Sequence, residues 1–484
     1  MENLNVLGTE SLGRSRGFSP KINKAALISS DALSFIISAF ISIVYVQEKS
    51  PVNLKINDFL EWHLMSFLFC GFICMLWLWG AKRHYTYRKP FWDELYDILK
   101  ILFFMSLFSL SISSVLNRSY PVDIWFFEWS VILCLLPLLR NLTKRILNKI
   151  GIWSMPCVII GDADNAHDVL KAVQSEPSTG FEVIALVSPS GHANVSQVSG
   201  VAYISQEYLL KNTHQFYKVF IATEKHQSQQ REYWIRALTK HGVRNISIVP
   251  ALRGIPLYGT DISHFFSHEV MMLRVKNNLP RRSSRFVKRL FDIFASSILL
   301  LLLSPLFAFI AWKVSRDGGP ATYGHERVGL YGRKFKCLKF RSMVINSKEV
   351  LENLLETDTA AREEWQREFK LKNDPRVTEI GKLLRRTSLD ELPQLWNVFK
   401  GDMSLVGPRP IIDDELLRYK DDADYYLLAK PGMSGLWQVS GRSDTDYDTR
   451  VYLDSWYVKN WSLWYDIVIL FKTITVVLKK EGAY

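Results

Sequence analysis

The chain has 484 residues and a formal net charge of +12, and 48% of its residues are hydrophobic. This length predicts two to four structural units, and a basic chain can serve nucleic acid, anionic lipid or phosphorylated substrates. Its five cysteines form no CxxC pair and no Cys/His ligand spacing, which argues against a disulfide framework and a zinc site.

Four apolar runs in the first 150 residues predict membrane-spanning helices, since most approach the ~20 residues needed to cross a ~30 Å hydrocarbon core. Basic residues precede the first run, fill the second connection and follow the fourth run, whereas the other connections are nearly neutral. The positive-inside rule then predicts a four-span unit (26–150) with both ends cytoplasmic, behind a cytosolic tail (1–25). Four buried helices of a soluble core are the alternative. The runs are 26–46, 62–80, 98–116 and 122–139.

Residues 151–280 alternate strand-like and helix-like segments. This alternation predicts a parallel sheet, and we expect a cytosolic, Rossmann-like α/β domain. Its first turn, GDADNA (161–166), lacks two of the three glycines of a dinucleotide fingerprint and would place two aspartates against a pyrophosphate. We therefore do not expect a working NAD site. A regulatory nucleotide site, an assembly surface and a purely structural role stay open.

A fifth apolar run (290–314) carries Ser304 and Pro305 near its middle. Proline removes a helical hydrogen bond and clashes with the preceding turn. Basic residues flank the run on both sides, and each half alone is too short to cross at ~1.5 Å per residue. We predict a re-entrant membrane helix that is broken at Ser304 and Pro305 and enters one leaflet. A fifth span is the alternative.

The C-terminal third (281–484) concentrates basic residues in two segments, 324–343 and 373–410. Arginine forks bind phosphate oxygens in pairs, so these side chains could converge on a pyrophosphate. A basic face resting on anionic membrane lipid is the alternative for each residue. Nucleic acid is not expected as a partner, because this membrane-anchored chain has no recognisable nucleic-acid module. The predicted phosphate- or nucleotide-binding residues are Lys339, Arg341, Arg376, Arg385, Arg386 and Arg409.

The sequence TSLDELPQLWN (387–397) places Asp390 and Glu391 side by side. Its SLDE stretch fits a capping box with Ser388 at the N-cap, although the following proline also allows a later helix start. Either start puts both acids at the positive end of a helix, just after two arginines, where an aspartate should stay ionised well below neutral pH. Such a carboxylate can attack phosphorus or hold Mg²⁺. A role in capping alone is the alternative.

Several motifs resemble a known family: KFRSM, NDPRVT, TSLDELPQLWNVFKGDMSLVGPRP, KPGMSGLWQVSGR and the helix with its Ser-Pro break. Over about 281–484 they resemble the bacterial sugar transferases, the monotopic polyprenyl-phosphate hexose-1-phosphate transferases. The four spans and the α/β domain resemble the large members of this family. The resemblance implies a C-terminal, mainly α catalytic domain with a re-entrant membrane helix. It also implies the bacterial inner membrane, with the active site facing the cytoplasm.

The resemblance further implies a reaction. A hexose-1-phosphate, with galactose expected from the overall likeness, passes from a UDP-hexose to undecaprenyl phosphate with release of UMP. This would be the first membrane step of O-antigen or capsule polysaccharide synthesis, and it would use Mg²⁺ and a covalent phospho-sugar aspartate. The alternatives are a UDP-glucose donor, a non-enzymatic polysaccharide assembly scaffold, and an NAD-linked sugar epimerase or dehydratase. A homodimer is also kept open.

The resemblance assigns roles to individual residues. Asp390 matches the nucleophile and Glu391 its acidic partner, and both are the predicted metal ligands. The other matches are the motif near the active site (Pro408, Arg409 and Pro410), the basic start of the re-entrant helix (Lys288 and Arg289) and the helix break (Ser304 and Pro305).

The tail of the chain (460–480) carries Trp461, Trp464 and Tyr465 beside apolar positions. Aromatic residues collect at membrane–water interfaces, so an interfacial helix is predicted here. A short sixth span is disfavoured by Lys472 in its middle.

Overall fold

The computed structural model of the chain forms two compact units, 1–253 and 254–484. Residues 1–16, most of the predicted cytosolic tail, lie outside the described residues. The residues that the structure describes are 17–49, 56–115, 122–190, 197–198, 200–243, 245–252, 261–264, 271–274, 282–358, 362, 374–441 and 446–479.

Four long helices build the N-terminal part of the first unit, and they carry the four predicted apolar runs, apart from residue 116, which is not described. Three of them are long and apolar enough to cross a membrane, and the second contributes a shorter apolar helix, Leu64–Gly80. Side chains such as Phe67 and Leu136 fill their common core, whereas others such as Phe40 and Phe103 are exposed. The four predicted apolar helices are confirmed, and their course through a membrane and their topology stay predictions. The helices are α1 (Pro20–Lys49), α2 (Ile56–Gly80), α3 (Phe91–Val115) and α4 (Val122–Ile150).

The rest of the first unit is a sheet flanked by helices. Its strands lie in the order β3-β4-β2-β1-β5-β6, and every pair is parallel except the edge pair of β3 and β4. All six residues of β1 are buried, as expected for a strand covered on both faces. The predicted parallel α/β sheet is confirmed, and its Rossmann-like assignment stays a prediction. The elements are β1 (Met155–Ile160), α5 (Asp164–Ser175), β2 (Phe181–Val187), β3 (Gln197–Val198), β4 (Val201–Ile204), α6 (Gln206–Lys211), β5 (Lys218–Ile221), α7 (Ser228–Lys240) and β6 (Ile246–Ile248).

The turn after β1 is held by hydrogen bonds between its own Asp162 and side chains that follow β2. The carboxylate of Asp162 accepts hydrogen bonds from Ser188 and Ser190. A Cβ on Gly161 would lie 2.5 Å from the carbonyl oxygen of Ala222, so packing against the neighbouring strand end requires a glycine. The one fingerprint glycine present is therefore explained by packing.

The second unit starts with a hairpin, which we had assigned to the α/β domain, and continues with one long helix and a set of short elements. They are β7 (Asp261–His264), β8 (Met271–Arg274), α8 (Arg282–Val314), β9 (Thr322–Val328), β10 (Lys334–Phe340), α9 (Ser347–Thr357), α10 (Glu379–Thr387), α11 (Gln394–Lys400), β11 (Ser404–Val406), α12 (Asp413–Arg418), α13 (Ala423–Leu427), β12 (Gly432–Ser434), α14 (Tyr447–Lys459) and α15 (Leu463–Lys479).

Helix α8 runs without interruption through Ser304 and Pro305, whereas we expected a break there. Proline at 305 cannot donate to the carbonyl four residues earlier, that of Leu301. The hydroxyl of Ser304 donates to this carbonyl instead, at 2.8 Å. Ser304 thus satisfies the Leu301 carbonyl, which the proline leaves without a backbone donor, and the helix continues. Helix α8 also has the length and composition of a membrane span, and its re-entrant course stays a prediction.

Lys288, near the start of α8, ties this helix to the rest of the second unit. The buried ammonium of Lys288 donates to Asp466 Oδ2 at 2.7 Å, to the hydroxyl of Tyr457 and to the carbonyl of Val406. These contacts join α8 to β11, α14 and α15. The predicted basic start of the membrane helix is thus a packing junction.

Helix α15 presents an exposed apolar face that includes Phe471 and Ile474. Such a face suits the predicted interfacial position. Trp461, which we had placed among its interfacial aromatics, is instead buried and donates from Nε1 to Asp466. A buried carboxylate recruits this indole, because a polar group removed from water needs hydrogen-bond partners.

Candidate active site

The acidic pair lies in a short 3₁₀ turn, Leu389–Glu391, between α10 and α11. Ser388 has a left-handed backbone (φ 55°) and ends α10, and its side chain makes no capping hydrogen bond. The predicted capping box is therefore wrong. Helix α11 begins at Gln394 with Pro393 as its N-cap residue, so both acids precede it. The later helix start that the proline allowed is the one observed.

Contacts with β10 and with Ser342, two residues after this strand, fix the helices on either side of the turn. On one side, a Cβ on Gly381 of α10 would lie only 2.0 Å from the carbonyl oxygen of Ser342, and Arg385 Nε donates to the Ser342 hydroxyl at 3.0 Å. On the other side, the buried side chain of Asn397 in α11 pairs with β10, donating to the carbonyl of Lys336 and accepting from the amide of Leu338. Strand β10 and the residues directly after it therefore set the position of the acidic turn.

Lys339 of β10 is the cation that meets the acidic pair. Its ammonium donates to Glu391 Oε1 at 2.7 Å and lies 3.9 Å from Asp390 Oδ2. The Asp390 side chain is 15% exposed and that of Glu391 is 35% exposed. Both carboxylates can thus be reached from solvent, and one cation partly neutralises them.

Burial and nearby cations have opposite effects on the pKa of Asp390, which we expected to stay ionised well below neutral pH. Burial raises the pKa of Asp390 above its ordinary value, and the charges of Lys339 and Arg385 act in the opposite direction. Burial lowers the pKa of Lys339, but the charge and hydrogen bond of Glu391 outweigh it and raise that pKa. The lysine is therefore protonated at neutral pH and opposes protonation of Asp390.

Further cations surround the same strand. Cys337 is buried beneath the site, and the charges of Lys339, Glu391, Arg327 and Arg409 all act on its thiol. Burial raises the pKa of Cys337 to about 11, so this thiol is not a rival nucleophile. The structure thus gathers Arg327 and Arg409 around the strand that carries Lys339.

Arg327 was part of the basic segment but not among our predicted site residues. It pairs with Phe335 across the hairpin of β9 and β10, two positions along each strand from the pair of Cys337 and His325. Side chains two residues apart lie on the same face of a strand, so Arg327 shares the face of Lys339. The alternation of side chains along β10 predicts which of its residues share a face. The sequence did not show that β9 is its partner strand, so Arg327 could not be assigned to this face.

Three of the predicted phosphate-binding residues make no described contact with the acidic pair. Arg341 donates to Asp317 and to the carbonyls of Val314 and Pro320, and so fastens the end of α8 to β10. Arg376 pairs with Asp374 through two hydrogen bonds of 2.8 and 2.7 Å. Arg386 is exposed on α10. The guanidinium groups of Arg341 and Arg376 are thus paired with nearby carboxylates, which spacing in the sequence does not reveal.

Arg289 is a positioning residue that the sequence did not reveal as such. Its guanidinium donates to the carbonyls of Val398 and Phe399, both at 2.7 Å. These carbonyls belong to the last turn of α11, where helical acceptors lack backbone donors. The membrane helix α8 therefore caps the helix that follows the acidic turn.

The motif of Pro408, Arg409 and Pro410 is held at both ends. Before it, Gly407 donates to the carbonyl of Ser434 at 2.9 Å, and Gly432 donates to that of Pro408 at 2.7 Å. After it, the amide of Val328 in β9 donates to the carbonyl of residue 411 at 2.9 Å. Exposed Arg409 lies with its guanidinium 5.5 Å from the ring centre of Trp437. The arginine thus projects from a fixed backbone.

We expect Gly432→Ala to destabilise the second unit by about 3 kcal/mol, at the upper end of overpacking effects. The new Cβ would lie 2.1 Å from the Gly407 nitrogen and 2.4 Å from the Ser434 carbonyl oxygen, and neither backbone atom can rotate away. Thermal unfolding of the purified chain measures the effect. Gly80→Ala is the control, since no atom lies within 4 Å of its added Cβ. Equal unfolding temperatures for both variants would contradict the prediction.

We expect Lys339→Met to lower the transfer reaction that the family resemblance implies by about 100-fold at neutral pH, as for the loss of a preorganised charge at a reacting group. Without this cation the pKa of Asp390 rises further, so activity that needs the ionised carboxylate disappears at a higher pH than in the unchanged chain. Initial rates across the acid limb of the pH profile measure this shift. Lys339→Arg should keep the acid limb near its original position, and an unshifted limb in Lys339→Met would refute the role.

The donor set of the turn fits a divalent cation. Mg²⁺ is usually bound by one or two carboxylates together with substrate phosphates and water. Asp390 and Glu391 supply two adjacent carboxylates beside a region rich in cations. Among the described residues, no group of three or more His, Cys, Asp or Glu side chains could hold a metal by itself. The site therefore suits an ion that arrives with a phosphorylated substrate.

Comparison with known proteins shows which family the chain resembles. Residues 283–480 match the family described as "Bacterial sugar transferase". The undecaprenyl-phosphate galactose phosphotransferase of Salmonella typhimurium is 49% identical over 96% of this chain and 98% of its own length. The UDP-galactose-lipid carrier transferase of Erwinia amylovora is 52% identical over 88% of this chain and 89% of its own.

A third relative matches the C-terminal part alone. The UDP-glucose:undecaprenyl-phosphate glucose-1-phosphate transferase of Escherichia coli is 39% identical over 42% of both chains. The matched family region contains α8, the acidic turn and the Pro-Arg-Pro motif. From the family match and the two relatives that cover nearly the whole chain, we conclude that this protein belongs to the bacterial sugar transferase family.

Proposed function

We propose that the chain transfers galactose-1-phosphate from UDP-galactose to undecaprenyl phosphate and releases UMP. The observation that carries the proposal is the Asp390–Glu391 pair, which Lys339 partly neutralises inside the region matched to the family. The printed names of the Salmonella and Erwinia relatives support galactose as the sugar. The choice of galactose rests on the overall similarity to these two relatives.

In the first half-reaction, a carboxylate oxygen of Asp390 attacks the phosphorus that carries the hexose. A phosphorus–oxygen bond forms, the bond from this phosphorus to the UMP oxygen breaks, and UMP leaves with the electron pair. The product is an acyl phosphate on Asp390. Because the attacking group is an anion, no general base has to remove a proton from it.

In the second half-reaction, a phosphate oxygen of undecaprenyl phosphate attacks the same phosphorus. The bond to Asp390 breaks, and the aspartate leaves as a carboxylate. A phosphate monoester, whose second pKa is ~6, is also largely ionised at neutral pH. Both half-reactions therefore depend on positioning and on charge neutralisation, as phosphoryl transfer generally does.

The roles of the other groups follow from their places around the turn. Lys339 holds Glu391 and opposes protonation of Asp390. We assign binding of the donor's phosphate oxygens to Arg409 and Arg327, whose charges act on the nearby thiol of Cys337. Asp390 and Glu391 would hold Mg²⁺, which supplies charge neutralisation for the phosphates.

The reaction site would lie at the cytoplasmic face of the bacterial inner membrane. Helix α8 carries Lys288 and Arg289 at its start and 33 residues of largely apolar sequence. A re-entrant course would keep both of its ends on one side and place the acidic turn near the lipid headgroups. A soluble UDP-sugar and a lipid phosphate can both reach such a position. This step would begin O-antigen or capsule polysaccharide synthesis.

The test supplies the purified chain with undecaprenyl phosphate, Mg²⁺ and either UDP-galactose or UDP-glucose, and measures UMP. UMP is expected to form faster with UDP-galactose. Faster release from UDP-glucose would favour the alternative that the Escherichia coli relative's name suggests. No UMP from any UDP-hexose would overturn hexose-1-phosphate transfer and favour the scaffold role.

A further inference from the structure

A charged groove lies in the first unit, where the ends of α3 and α4 meet the α/β domain. It has two adjoining parts of about 300 and 270 Å³ including their open mouths, which share Glu94, Lys144 and Ser178 as lining residues. Four basic side chains line it, and Glu94 is the one carboxylate among its lining residues, while Lys89 also pairs at 2.7 Å with Asp97 outside the lining. The basic residues are Arg88, Lys89, Arg140 and Lys144.

Buried ion pairs hold part of this wall in place. Arg140 is 2% exposed and pairs with Asp31 of α1 and, at 2.9 Å, with Glu94 of α3. Lys144 also pairs with Glu94. These contacts fix the cations at the ends of three helices, although burying charges of this kind contributes little net stability.

Arg88 differs from these pairs. It donates to the carbonyls of Trp153, Thr179 and Gly180 at 2.7 to 2.9 Å, and within the described part of the chain it has no carboxylate at ion-pair distance. Its positive charge is therefore held beside the groove and is not cancelled by an acid.

Two lining groups have unused hydrogen-bonding capacity. The hydroxyl of Ser178 is buried and has no hydrogen-bond partner among the described residues. The same is true of Nε1 of Trp153, a side chain that is only 4% exposed. Buried polar groups are nearly always satisfied, so the Ser178 hydroxyl can take a hydrogen-bond partner in the groove, whereas Trp153 Nε1 packs against Gly180.

One wall of the groove is apolar. Phe91, Leu95 and Ile98 of α3 face Pro137 of α4 across it. Beyond this wall, exposed apolar side chains such as Leu138 continue along α4 into the predicted hydrocarbon region. A ligand that fits has an anionic head and an apolar chain.

We propose that this groove binds the phosphate headgroup of an anionic membrane lipid from the cytoplasmic leaflet. The phosphate oxygens accept hydrogen bonds from Ser178 and charge-assisted ones from the basic wall, and the acyl chains lie against α3 and α4. Basic pockets between membrane helices on the cytoplasmic side are suited to such headgroups. Because Ser178 belongs to the α/β domain and Lys144 to α4, the lipid joins the two. The site is separate from the acidic turn and does not depend on the proposed reaction.

The test uses the whole chain in phosphatidylcholine nanodiscs with or without phosphatidylglycerol, and counts retained lipids by native mass spectrometry. One phosphatidylglycerol should be retained in preference to phosphatidylcholine. Ser178→Ala should weaken this retention about tenfold, as expected for losing a hydrogen bond to a charged group, without lowering the unfolding temperature. Ser175→Ala is the matched control, because that hydroxyl is exposed and bonds to Ala172 of its own helix.

A second readout is amide hydrogen exchange at residues 177–180, which should slow when phosphatidylglycerol is present. Equal retention of both lipids, or unchanged retention in Ser178→Ala, would overturn the proposal. Slowing by inorganic phosphate alone, with no preference for the anionic lipid, would assign the groove to a soluble anion and overturn the lipid. Sugar transfer by Ser178→Ala reports separately on the reaction.

Discussion

Asp390→Asn should lower UMP release by at least ~1000-fold, because removal of a covalent nucleophile leaves only the residual effect of binding and charge stabilisation. The amide is nearly isosteric with the carboxylate, so it should not disturb the turn. It carries no negative charge and is a poor nucleophile towards phosphorus. The measurement is UMP formation from UDP-galactose in the presence of undecaprenyl phosphate and Mg²⁺.

The control for this substitution makes the same chemical change elsewhere in the second unit. Asp414 is exposed in the first turn of α12, and Asp414→Asn should keep full activity. A phospho-sugar adduct trapped on Asp390 in the unchanged chain would separate the covalent route from direct displacement. Full turnover by Asp390→Asn would show that another group attacks phosphorus.

Lys288→Met should destabilise the second unit by about 3–5 kcal/mol, the usual cost of removing one partner of a buried ion pair. The substitution leaves the Asp466 carboxylate, 1% exposed, without its cation, and among the described residues the Tyr457 hydroxyl and the Trp461 indole are its remaining side-chain donors. Thermal unfolding of the purified chain, followed through tryptophan fluorescence, measures the loss.

Lys313→Met is the matched control at the other end of α8. Lys313 is exposed, and such surface changes cost less than ~0.5 kcal/mol. The double variant Lys288→Met with Asp466→Leu should recover much of the stability, because replacing both charges leaves no buried ion unpaired. If Lys288→Met unfolds at the same temperature as Lys313→Met, the junction does not stabilise the fold.

The large elements could be predicted from the sequence because they rest on long patterns. Continuous apolar runs near 20 residues identified α1 to α4, and alternating segments identified the parallel sheet. The motifs around Asp390 identified the family over nearly the same residues that the family match covers. Each of these signals extends over many residues, so a local exception does not change it.

The local details that the sequence did not reveal share a different cause. Ser388 fits a capping box by spacing, yet its backbone adopts the left-handed conformation that ends α10. The phosphate-binding roles of Arg341 and Arg376 stay predictions, and spacing did not reveal their ion pairs with Asp317 and Asp374. The pKa of Asp390 depends on how deeply the folded chain buries it. Each of these properties depends on neighbours brought together in three dimensions.

The cap that Arg289 places on α11 links membrane depth to chemistry. This guanidinium is rigidly bound to two carbonyls at one end of a seven-residue helix, and the acidic turn adjoins the other end. In a bilayer, a displacement of α8 along the membrane normal therefore carries Asp390 with it. In the proposed reaction, the lipid substrate would present its phosphate at a height set by the same bilayer. The proposed nucleophile and its acceptor would then both be positioned relative to the membrane surface.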